Sequence, residues 1–321
     1  MDWRVKVAIQ AVLARLPGGW RLNHRFQDLR SGHCRDVLRR RLVDRARELA
    51  WAEARGLRIE GADLLEIGTG RAPVPTFLMA LLGPSSIRTM DRRPLLDGRK
   101  VAAIVRELPV VAEELAEVFA RPPREIIERA ERLARAISLD AILNAGSIHY
   151  KAPGDATATG LAAASLDGII SYDVLEHLPS KTFHQLNAEA RRILRPEGMQ
   201  FHVIGLGDHY ASSDPKISSV HFLRFSDPVW NALTGHELSY HNRLRVPEFL
   251  DEFARDGFVA EDIRREVDSL GLEALKTLRV DSRFGQLTPA ELATNRAALL
   301  LRSAVPAGAD RPSIRLEGVA S

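Results

Sequence analysis

The feature that most constrains the fold is a short apolar run that ends in a glycine turn. Residues 62–67 form the run, and a Gly-Thr-Gly triplet follows directly at 68–70. An apolar helix led by proline comes next over 73–82, because proline suits the first turn of a helix. A second short apolar run then ends at Asp91. Strand, turn, helix and strand in this order predict a βαβ unit and therefore a parallel sheet.

The same alternation of short apolar runs and helical periods continues along the chain. Further strands are predicted at residues 147–151, 167–171, 199–204, 258–264 and 297–303, and helices at 95–139 with proline breaks, 181–194, 247–257 and 289–295. The predicted fold class is therefore α/β: a Rossmann-like, doubly wound, mostly parallel sheet with an N-terminal helical extension and a cap insertion.

Charge and cysteine content exclude several classes of protein. The net charge of +3 over 321 residues gives no electrostatic reason to expect a nucleic-acid partner. Residues 1–60 hold fourteen Lys and Arg against seven Asp and Glu. This excess is either a solvated helix face or a surface that attracts an anionic substrate, partner or membrane. Cys34 is the only cysteine, which rules out an internal disulfide and fits the predicted cytoplasmic location. No uncharged apolar run approaches the roughly 20 residues of an integral membrane segment.

The acidic residues at the first two strand ends indicate the kind of ligand. Glu66 precedes the glycine turn at the carboxyl end of the first strand, where ligands of open α/β sheets bind. Its charge would repel a pyrophosphate and suit a ligand with an ammonium or sulfonium group. Pro73 stands where a dinucleotide fingerprint has its third glycine. Asp91 is placed to accept hydrogen bonds from both hydroxyls of a ribose.

Five stretches in fixed order carry a family resemblance. They are residues 65–70, Asp91 at its strand end, residues 154–156, residues 167–178 and residues 194–198. At these residues the chain resembles the class I S-adenosylmethionine (SAM)-dependent methyltransferases, in particular those that modify small metabolites. Ala72, in place of a third glycine, and Arg195-Pro196-Glu197-Gly198, in place of a double-glycine turn, depart from the commoner pattern.

The resemblance implies a set of cofactor residues. The methionine end of SAM would be held at Glu66 and the turn, the ribose at Asp91, and the adenine at Asp155 and the Ala156 N–H. Ser171 and Tyr172 would line the sulfonium side. The implied cofactor-binding set is Glu66, Gly68, Thr69, Gly70, Asp91, Arg92, Asp155, Ala156, Ser171 and Tyr172. Glu176 and His177 are interpreted as structural rather than catalytic, and Asp173 as a cap of the following helix.

The resemblance and the segment lengths together suggest a division of the chain. The predicted parts are residues 1–60, an N-terminal helical lid; 61–205, the SAM-binding core; 206–245, a cap over the substrate pocket; 246–305, the C-terminal part of the core; and 306–321, a flexible tail. The cap is predicted because its segment is rich in His, Ser and aromatic residues and has weak periodicity. A stretch of this kind without clear structure is usually functional or disordered, and its aromatic residues argue against disorder.

Candidates for the chemistry lie after the fifth strand. His209 and His221 are the predicted general bases, with Tyr210 as a helper, since an oxygen or nitrogen nucleophile needs its proton removed. The predicted substrate-binding residues are Tyr172, His24, Asn23, Tyr240 and Arg243. The histidines lack the tight pair spacing of a metal motif, so no metal is predicted.

The predicted function is SAM-dependent methyl transfer to a small-molecule acceptor. Two alternatives stay open. One is another SAM chemistry, in which the amine of SAM closes a ring on its own side chain and releases methylthioadenosine. The other is a non-enzymatic SAM-binding protein whose basic N-terminal helices dock a partner. The sequence leaves the acceptor and the oligomeric state undetermined.

Overall fold

The computed structural model describes residues 1–23 and 35–304. The predicted substrate residue His24 and the predicted tail at 306–321 lie outside the described residues. Within the described ranges the architecture is a single sheet with helices on both faces and a cap at one edge.

Seven strands form one sheet in the order β3-β2-β1-β4-β5-β7-β6. They are β1 (Asp63–Ile67), β2 (Ser86–Met90), β3 (Ile148–Lys151), β4 (Leu166–Tyr172), β5 (Leu194–Gly205), β6 (Phe258–Val267) and β7 (Thr294–Ser303). The first five strands pair in parallel, and β7 runs antiparallel to both β5 and β6. The predicted mostly parallel sheet is confirmed, and every strand expected from the sequence is present.

The strand order places the functional edge of the sheet. β1 has β2 on one side and β4 on the other, so the connections leave β1 in opposite directions. At such a switch point the loops that follow the carboxyl ends of the strands diverge and leave a crevice between them. The glycine turn after β1 and the segments after β2, β4 and β5 all meet at this edge.

Helices α2 to α7 cover one face of the sheet. They are α2 (Arg35–Glu53), α3 (Val74–Leu81), α4 (Gly98–Glu107), α5 (Ala112–Val118), α6 (Pro123–Arg135) and α7 (Leu139–Ala145). The buried face of α2, which includes Leu42, Ala46 and Leu49, packs in the same apolar cluster as Leu64 of β1 and Phe201 of β5. This helix is thus part of the core layer, which differs from the lid expected for all of residues 1–60.

Helices α8 (Ser180–Ile193) and α10 (Val246–Arg255) cover the other face. Phe183 of α8 stacks edge-on against Phe253 of α10, with ring centroids 4.9 Å apart. Both rings lie in a second apolar cluster with Leu65 and Ile169 of the sheet. The side chains of β1 alternate between the two clusters, so both faces of the sheet are buried, as expected for a parallel sheet.

The cap and the first helix, α1 (Trp3–Ala14), form a third apolar cluster. The cap contains a short 3-10 turn at His221–Arg224 and helix α9 (Asp227–Thr234). Trp3 and Val7 of α1 pack with Tyr210, Phe222 and the rest of this cluster. The chain is completed by two short helices between β6 and β7, α11 (Ser269–Leu275) and α12 (Pro289–Ala293). The first helix and the cap therefore cover the carboxyl edge of the sheet together.

Candidate functional site

The glycine turn after β1 requires glycine for two reasons. Gly68 has φ of +85° and Gly70 has φ of +63°, a left-handed backbone that disfavours other residues. A Cβ at Gly68 would also lie 2.4 Å from Cγ2 of Val174, in the turn that follows β4. The missing side chain lets the turns after β1 and β4 approach each other, which places backbone N–H groups beside the crevice.

Glu66 lies beneath this turn with 2% of its surface exposed. Its Oε2 accepts hydrogen bonds from the hydroxyls of Thr76 and, at 2.6 Å, Thr89. Thr69 bonds the same Thr89 hydroxyl at 2.6 Å and fixes the turn to β2. Burial raises the pKa of Glu66 to about 7, with the nearby Asp91 charge adding to the effect. A cation above the turn would favour the ionised form of this carboxyl group.

Asp91 connects the ends of β1 and β2. Its Oδ2 accepts the Gly70 N–H at 2.9 Å, and its Oδ1 accepts the Arg93 N–H at 3.0 Å. Each carboxylate oxygen keeps a second lone pair for a ligand. The predicted neighbour Arg92 instead has a side chain that is 74% exposed and pairs with Glu237 of the cap at 3.5 Å. The Asp91 carboxylate thus lies where the ends of β1 and β2 meet, whereas the Arg92 side chain is exposed and pairs with the cap.

Asp155 and Ala156 follow β3, on the adenine side of the predicted cofactor site. Oδ1 of Asp155 accepts both the N–H of Thr157 at 2.9 Å and its hydroxyl at 2.7 Å. These bonds lower the pKa of Asp155, so its carboxylate stays charged. Ala156 is partly buried against the second apolar cluster. The local turn therefore fixes the carboxylate and leaves Oδ2 for an amino group.

Two predicted residues at the end of β4 turn their side chains away from the crevice. Ser171 is fully buried, and its hydroxyl bonds Nδ1 of His202 at 2.8 Å. Tyr172 points to the opposite face, where its ring lies under the guanidinium of Arg45 and edge-on to Phe201. Alternation along a strand sends each side chain into a packed helix layer. That the two residues line the sulfonium side of the cofactor stays a prediction.

Asp173, just after β4, adopts a left-handed backbone with φ of +55°. Its carboxylate holds the end of β4 in place through ion pairs. Its carboxylate pairs with Arg45 at 3.3 Å and with Arg296 at 3.1 Å. Both arginines also pair with Glu48, at 2.9 and 2.8 Å. The predicted helix cap is therefore replaced by a four-residue ion network that joins α2, β4 and β7.

A cavity of about 350 Å³ opens between α1, the cap and the ends of β4 and β5. Its walls combine titratable, aromatic and charged side chains. They are Lys6, Gln10, Asn23, Arg93, His177, His209, Tyr210, Trp230, Glu237, Leu238, Ser239, Tyr240 and His241. The predicted site residues Asn23, His209, Tyr210 and Tyr240 are brought together here. A second depression of about 430 Å³ is lined by Trp3, Arg4, Val7, Arg224, Phe225 and Leu233. None of those six residues follows a strand, so we place the site in the first cavity.

His209 and Tyr210 contribute different groups to the cavity wall. The surrounding side chains desolvate the His209 ring and lower its pKa to about 4, so the imidazole is neutral at pH 7. Burial raises the pKa of Tyr210 to about 12, and its hydroxyl donates to Oε1 of Gln10 at 3.1 Å. A histidine of such low pKa is a weak proton acceptor near neutral pH. His209 contacts the site, but as a general base it needs assistance.

Two other predicted residues serve the packing of the cap instead. His221 is buried between Trp3 and Phe225, with Nδ1 3.3 Å from Oδ2 of Asp208. The guanidinium of Arg243, which is 1% exposed, donates to the carbonyls of Phe222 at 3.0 Å and Phe225 at 2.6 Å. The predictions of a base at 221 and a substrate contact at 243 were wrong, because long-range packing buries both side chains.

Sequence reasoning missed the histidines that surround His209. The ring centroid of His209 lies 5.0 Å from that of His177 and 4.6 Å from that of His241. A signal was present in the chain: His177 follows β4 by five residues and His209 follows β5 by four. These strands are neighbours, so segments after their carboxyl ends meet at one edge.

Comparison with known protein families indicates the broad functional class of the chain. Residues 124–201 match the family described as a methyltransferase domain. This stretch runs from α6 into β5 and includes Asp155 and the segment after β4. Over these residues the chain is similar to methyltransferase domains. The sheet order and the parallel strands are those of a Rossmann-like methyltransferase fold, for which SAM is the implied cofactor.

Solved structures share this methyltransferase fold at low identity. One is a provisionally named sarcosine dimethylglycine methyltransferase from Galdieria sulphuraria, at 16% identity over 81% of this chain and 86% of that one, with TM-score 0.45. A SAM-dependent methyltransferase from Methanosarcina mazei shows 15% identity over 77% and 94%, with TM-score 0.42. The 1,6-didemethyltoxoflavin-N1-methyltransferase of Burkholderia thailandensis shows 11% over 82% and 79%, with TM-score 0.43. Likenesses this weak do not bear on which molecule the domain methylates.

No curated protein sequence matches the methyltransferase chain. Among the helices in the described ranges, none combines the length and apolarity needed to cross a bilayer.

Proposed function

We propose that this methyltransferase transfers the methyl group of SAM to a small, polar acceptor molecule. The observation that carries the proposal is the cavity of about 350 Å³ at the carboxyl edge of β4 and β5. Its volume lies at the lower end of the roughly 300–1,000 Å³ typical of small-molecule sites. The acceptor would be covered by α1 on one side and by the cap on the other, which leaves no room for a folded protein or a duplex.

The residues at the first two strand ends fit SAM. The turn at Gly68 and Gly70 presents backbone N–H groups, and the buried carboxyl of Glu66 lies beneath it without a cationic partner among the described residues. Asp91 keeps free lone pairs for the ribose hydroxyls and Asp155 for the adenine amino group. We propose these four positions and Ala156 as the cofactor-binding set. SAM supplies a methyl group on a sulfonium, which is already a good leaving group.

The work left to the protein is alignment of the acceptor with that methyl group. Asn23, Tyr210 and Tyr240 offer hydrogen-bonding groups in the cavity wall, while Arg93 and Glu237 supply opposite charges. His209 presents a neutral imidazole to the same space. This mixture suits an acceptor with hydroxyl or amino groups rather than an apolar one.

The test is a product analysis with purified protein. SAM would be incubated with pools of small hydroxylated and amino compounds, and the cofactor product identified by mass spectrometry. We expect S-adenosylhomocysteine to form together with a methylated acceptor. Formation of methylthioadenosine without an acceptor would show that the cavity supports attack by SAM on itself. Methyl transfer to protein or nucleic acid, with none to small molecules, would also overturn the proposal.

A further inference from the structure

Three side chains at or beside the cavity wall are spaced as metal ligands are. Glu176 and His177 belong to the 3-10 turn after β4, and His209 opens the cap after β5. One carboxylate oxygen and one nitrogen from each imidazole all lie within 4.8 Å of one another. Ligands of a single ion at the usual 2.0–2.2 Å are separated by at most about 4.4 Å, so small rotations would close this triangle.

Hydrogen bonds to the backbone hold two of these side chains, His177 and Glu176, in orientations that suit binding of an ion. Nδ1 of His177 donates to the carbonyl oxygen of Tyr240 at 2.8 Å, because a carbonyl only accepts. That bond leaves the lone pair of Nε2 available. Oε1 of Glu176 accepts the N–H of Gly205 at 3.1 Å. A backbone carbonyl that fixes the tautomer of an imidazole is the usual support of a histidine ligand.

Two polar atoms beside the triangle are buried without a hydrogen bond in the described part of the chain. They are Oε2 of Glu176, whose residue is 1% exposed, and Nε2 of His241, whose residue is 6% exposed. Burial of a polar group without a hydrogen-bond partner is unfavourable. A cation bound by the three residues would satisfy Oε2 of Glu176.

Gly205 leaves the space that an ion would need. A Cβ there would lie 3.0 Å from Oε1 of Glu176, 3.4 Å from Oδ1 of Asp173 and 3.8 Å from Nε2 of His209. Glycine at the end of β5 therefore keeps a gap beside possible ligand atoms from the segments that follow β4 and β5. Its φ is not left-handed, so the backbone conformation alone does not require glycine here.

We propose that Glu176, His177 and His209 bind one divalent first-row transition-metal ion. Imidazole nitrogens with a single carboxylate suit Zn²⁺, Fe²⁺, Co²⁺ or Mn²⁺, whereas Mg²⁺ and Ca²⁺ prefer oxygen ligands throughout. The ion would face the cavity and keep at least one position open for another molecule.

The role of the ion rests on the proposed function, although the site itself does not. A hydroxyl of the acceptor bound to the ion would lose its proton to water more readily. The oxygen lone pair then forms the bond to the methyl carbon, and the carbon–sulfur bond breaks with its electrons on sulfur. The products are the methyl ether, S-adenosylhomocysteine and the released proton, and the ion is unchanged.

Metal binding is tested without any methyl acceptor. Untagged protein, stripped with a chelator, would be titrated with Co²⁺ while visible absorption is recorded, followed by displacement with Zn²⁺ and elemental analysis. We expect one ion per chain and d–d bands typical of nitrogen and oxygen ligands. Glu176→Gln and His209→Ala should each weaken Co²⁺ binding at least tenfold. His149→Ala, at an exposed histidine on β3, is the matched control and should bind as the wild type does.

Several results would refute the proposed metal site. Stoichiometric binding that survives both Glu176→Gln and His209→Ala would do so, as would wild-type protein that takes up no ion at micromolar concentration. Binding abolished only by His184→Ala would move the ion to the separate cluster in which His184 contacts Glu252 and Asp256. X-ray absorption on metal-loaded wild type needs no variant, and fewer than two imidazoles around the ion would also refute it. Failure of methyl transfer alone would affect only the proposed function.

Discussion

The N–H of Gly70 donates to Oδ2 of Asp91 at 2.9 Å, across the crevice between β1 and β2. This bond ties the glycine turn to the residue proposed to hold the ribose, so the two halves of the cofactor site form one unit. It also holds the carboxylate in a fixed orientation before a ligand arrives. Preorganisation of this kind lowers the entropic cost of binding.

Replacement of Asp91 by alanine should weaken SAM binding by about 100-fold, since each hydrogen bond to a charged group contributes roughly 1.5–3 kcal/mol. Isothermal titration calorimetry with SAM and S-adenosylhomocysteine measures the effect. Asp251→Ala, at an exposed aspartate on α10, is the matched control and should bind normally. Equal affinities in the two variants would exclude Asp91 from the cofactor site.

Glu66 should make the stability of the ligand-free protein depend on pH. The pKa of its carboxyl group is about 7 in the fold against 4.5 in the unfolded chain, because burial disfavours the charge. The folded state thus holds the proton more tightly, and its stability falls as pH rises from about 4.5 to about 7. The loss is on the order of 3 kcal/mol at 1.36 kcal/mol per pKa unit. Urea denaturation of wild type and Glu66→Gln across this range isolates the contribution, which the amide should abolish.

SAM binding should show the opposite dependence on pH. A sulfonium and an ammonium above the turn stabilise the ionised Glu66, so affinity should increase as pH rises through 7. Calorimetry at pH 6 and pH 8 compares SAM binding to the protonated and the ionised forms of Glu66. The Glu66→Gln variant should bind SAM with the same affinity at both pH values. A wild-type affinity that does not change with pH would show that SAM does not interact with this carboxyl group.

The close approach of the turns after β1 and β4 predicts a steric effect at Gly68. Gly68→Ala should destabilise the fold by more than about 2 kcal/mol, since the left-handed backbone alone costs roughly 1–2 kcal/mol and Val174 blocks the new methyl group. Gly160→Ala is the matched control, because Gly160 has φ of +76° and no atom within 4 Å of a Cβ. The double variant Gly68→Ala/Val174→Ala should be more stable than Gly68→Ala, by about the difference in unfolding free energy between Gly68→Ala and Gly160→Ala. Denaturant unfolding checks all three, and no recovery would show that the contact with Val174 is not the cause.

Arg243 should behave as a structural residue of the cap. Arg243→Ala removes a buried guanidinium that donates to two carbonyls and to Asp227, and each hydrogen bond to a charged group contributes roughly 1.5–3 kcal/mol. We expect a lower Tm and faster hydrogen exchange in residues 206–245, with SAM affinity unchanged. An unchanged Tm together with a raised KM would instead restore the substrate contact that the sequence suggested.

The alternating sheet and its cofactor edge were predictable because their signals are local. The run before Gly68, the acid at Asp91 and the motif at Asp155 each lie within a few residues of a strand end, and the order of strands follows from the βα repeats. The histidines were not predictable in the same way. His209 and His221 look equivalent along the chain, yet one lines the cavity and the other packs between Trp3 and Phe225.

The sequence by itself determined the parallel sheet, the glycine turn and the acids at the ends of the first two strands, because short-range periodicity and turn chemistry specify them. Only the tertiary structure decided which side of β4 receives Ser171 and which receives Tyr172, how Arg243 is buried, and that His177, His209 and His241 meet. The physical reason is that these outcomes depend on packing between segments that lie far apart in the chain, as where α1 and the cap bury apolar surface over the sheet edge. No pattern within one segment encodes such a contact.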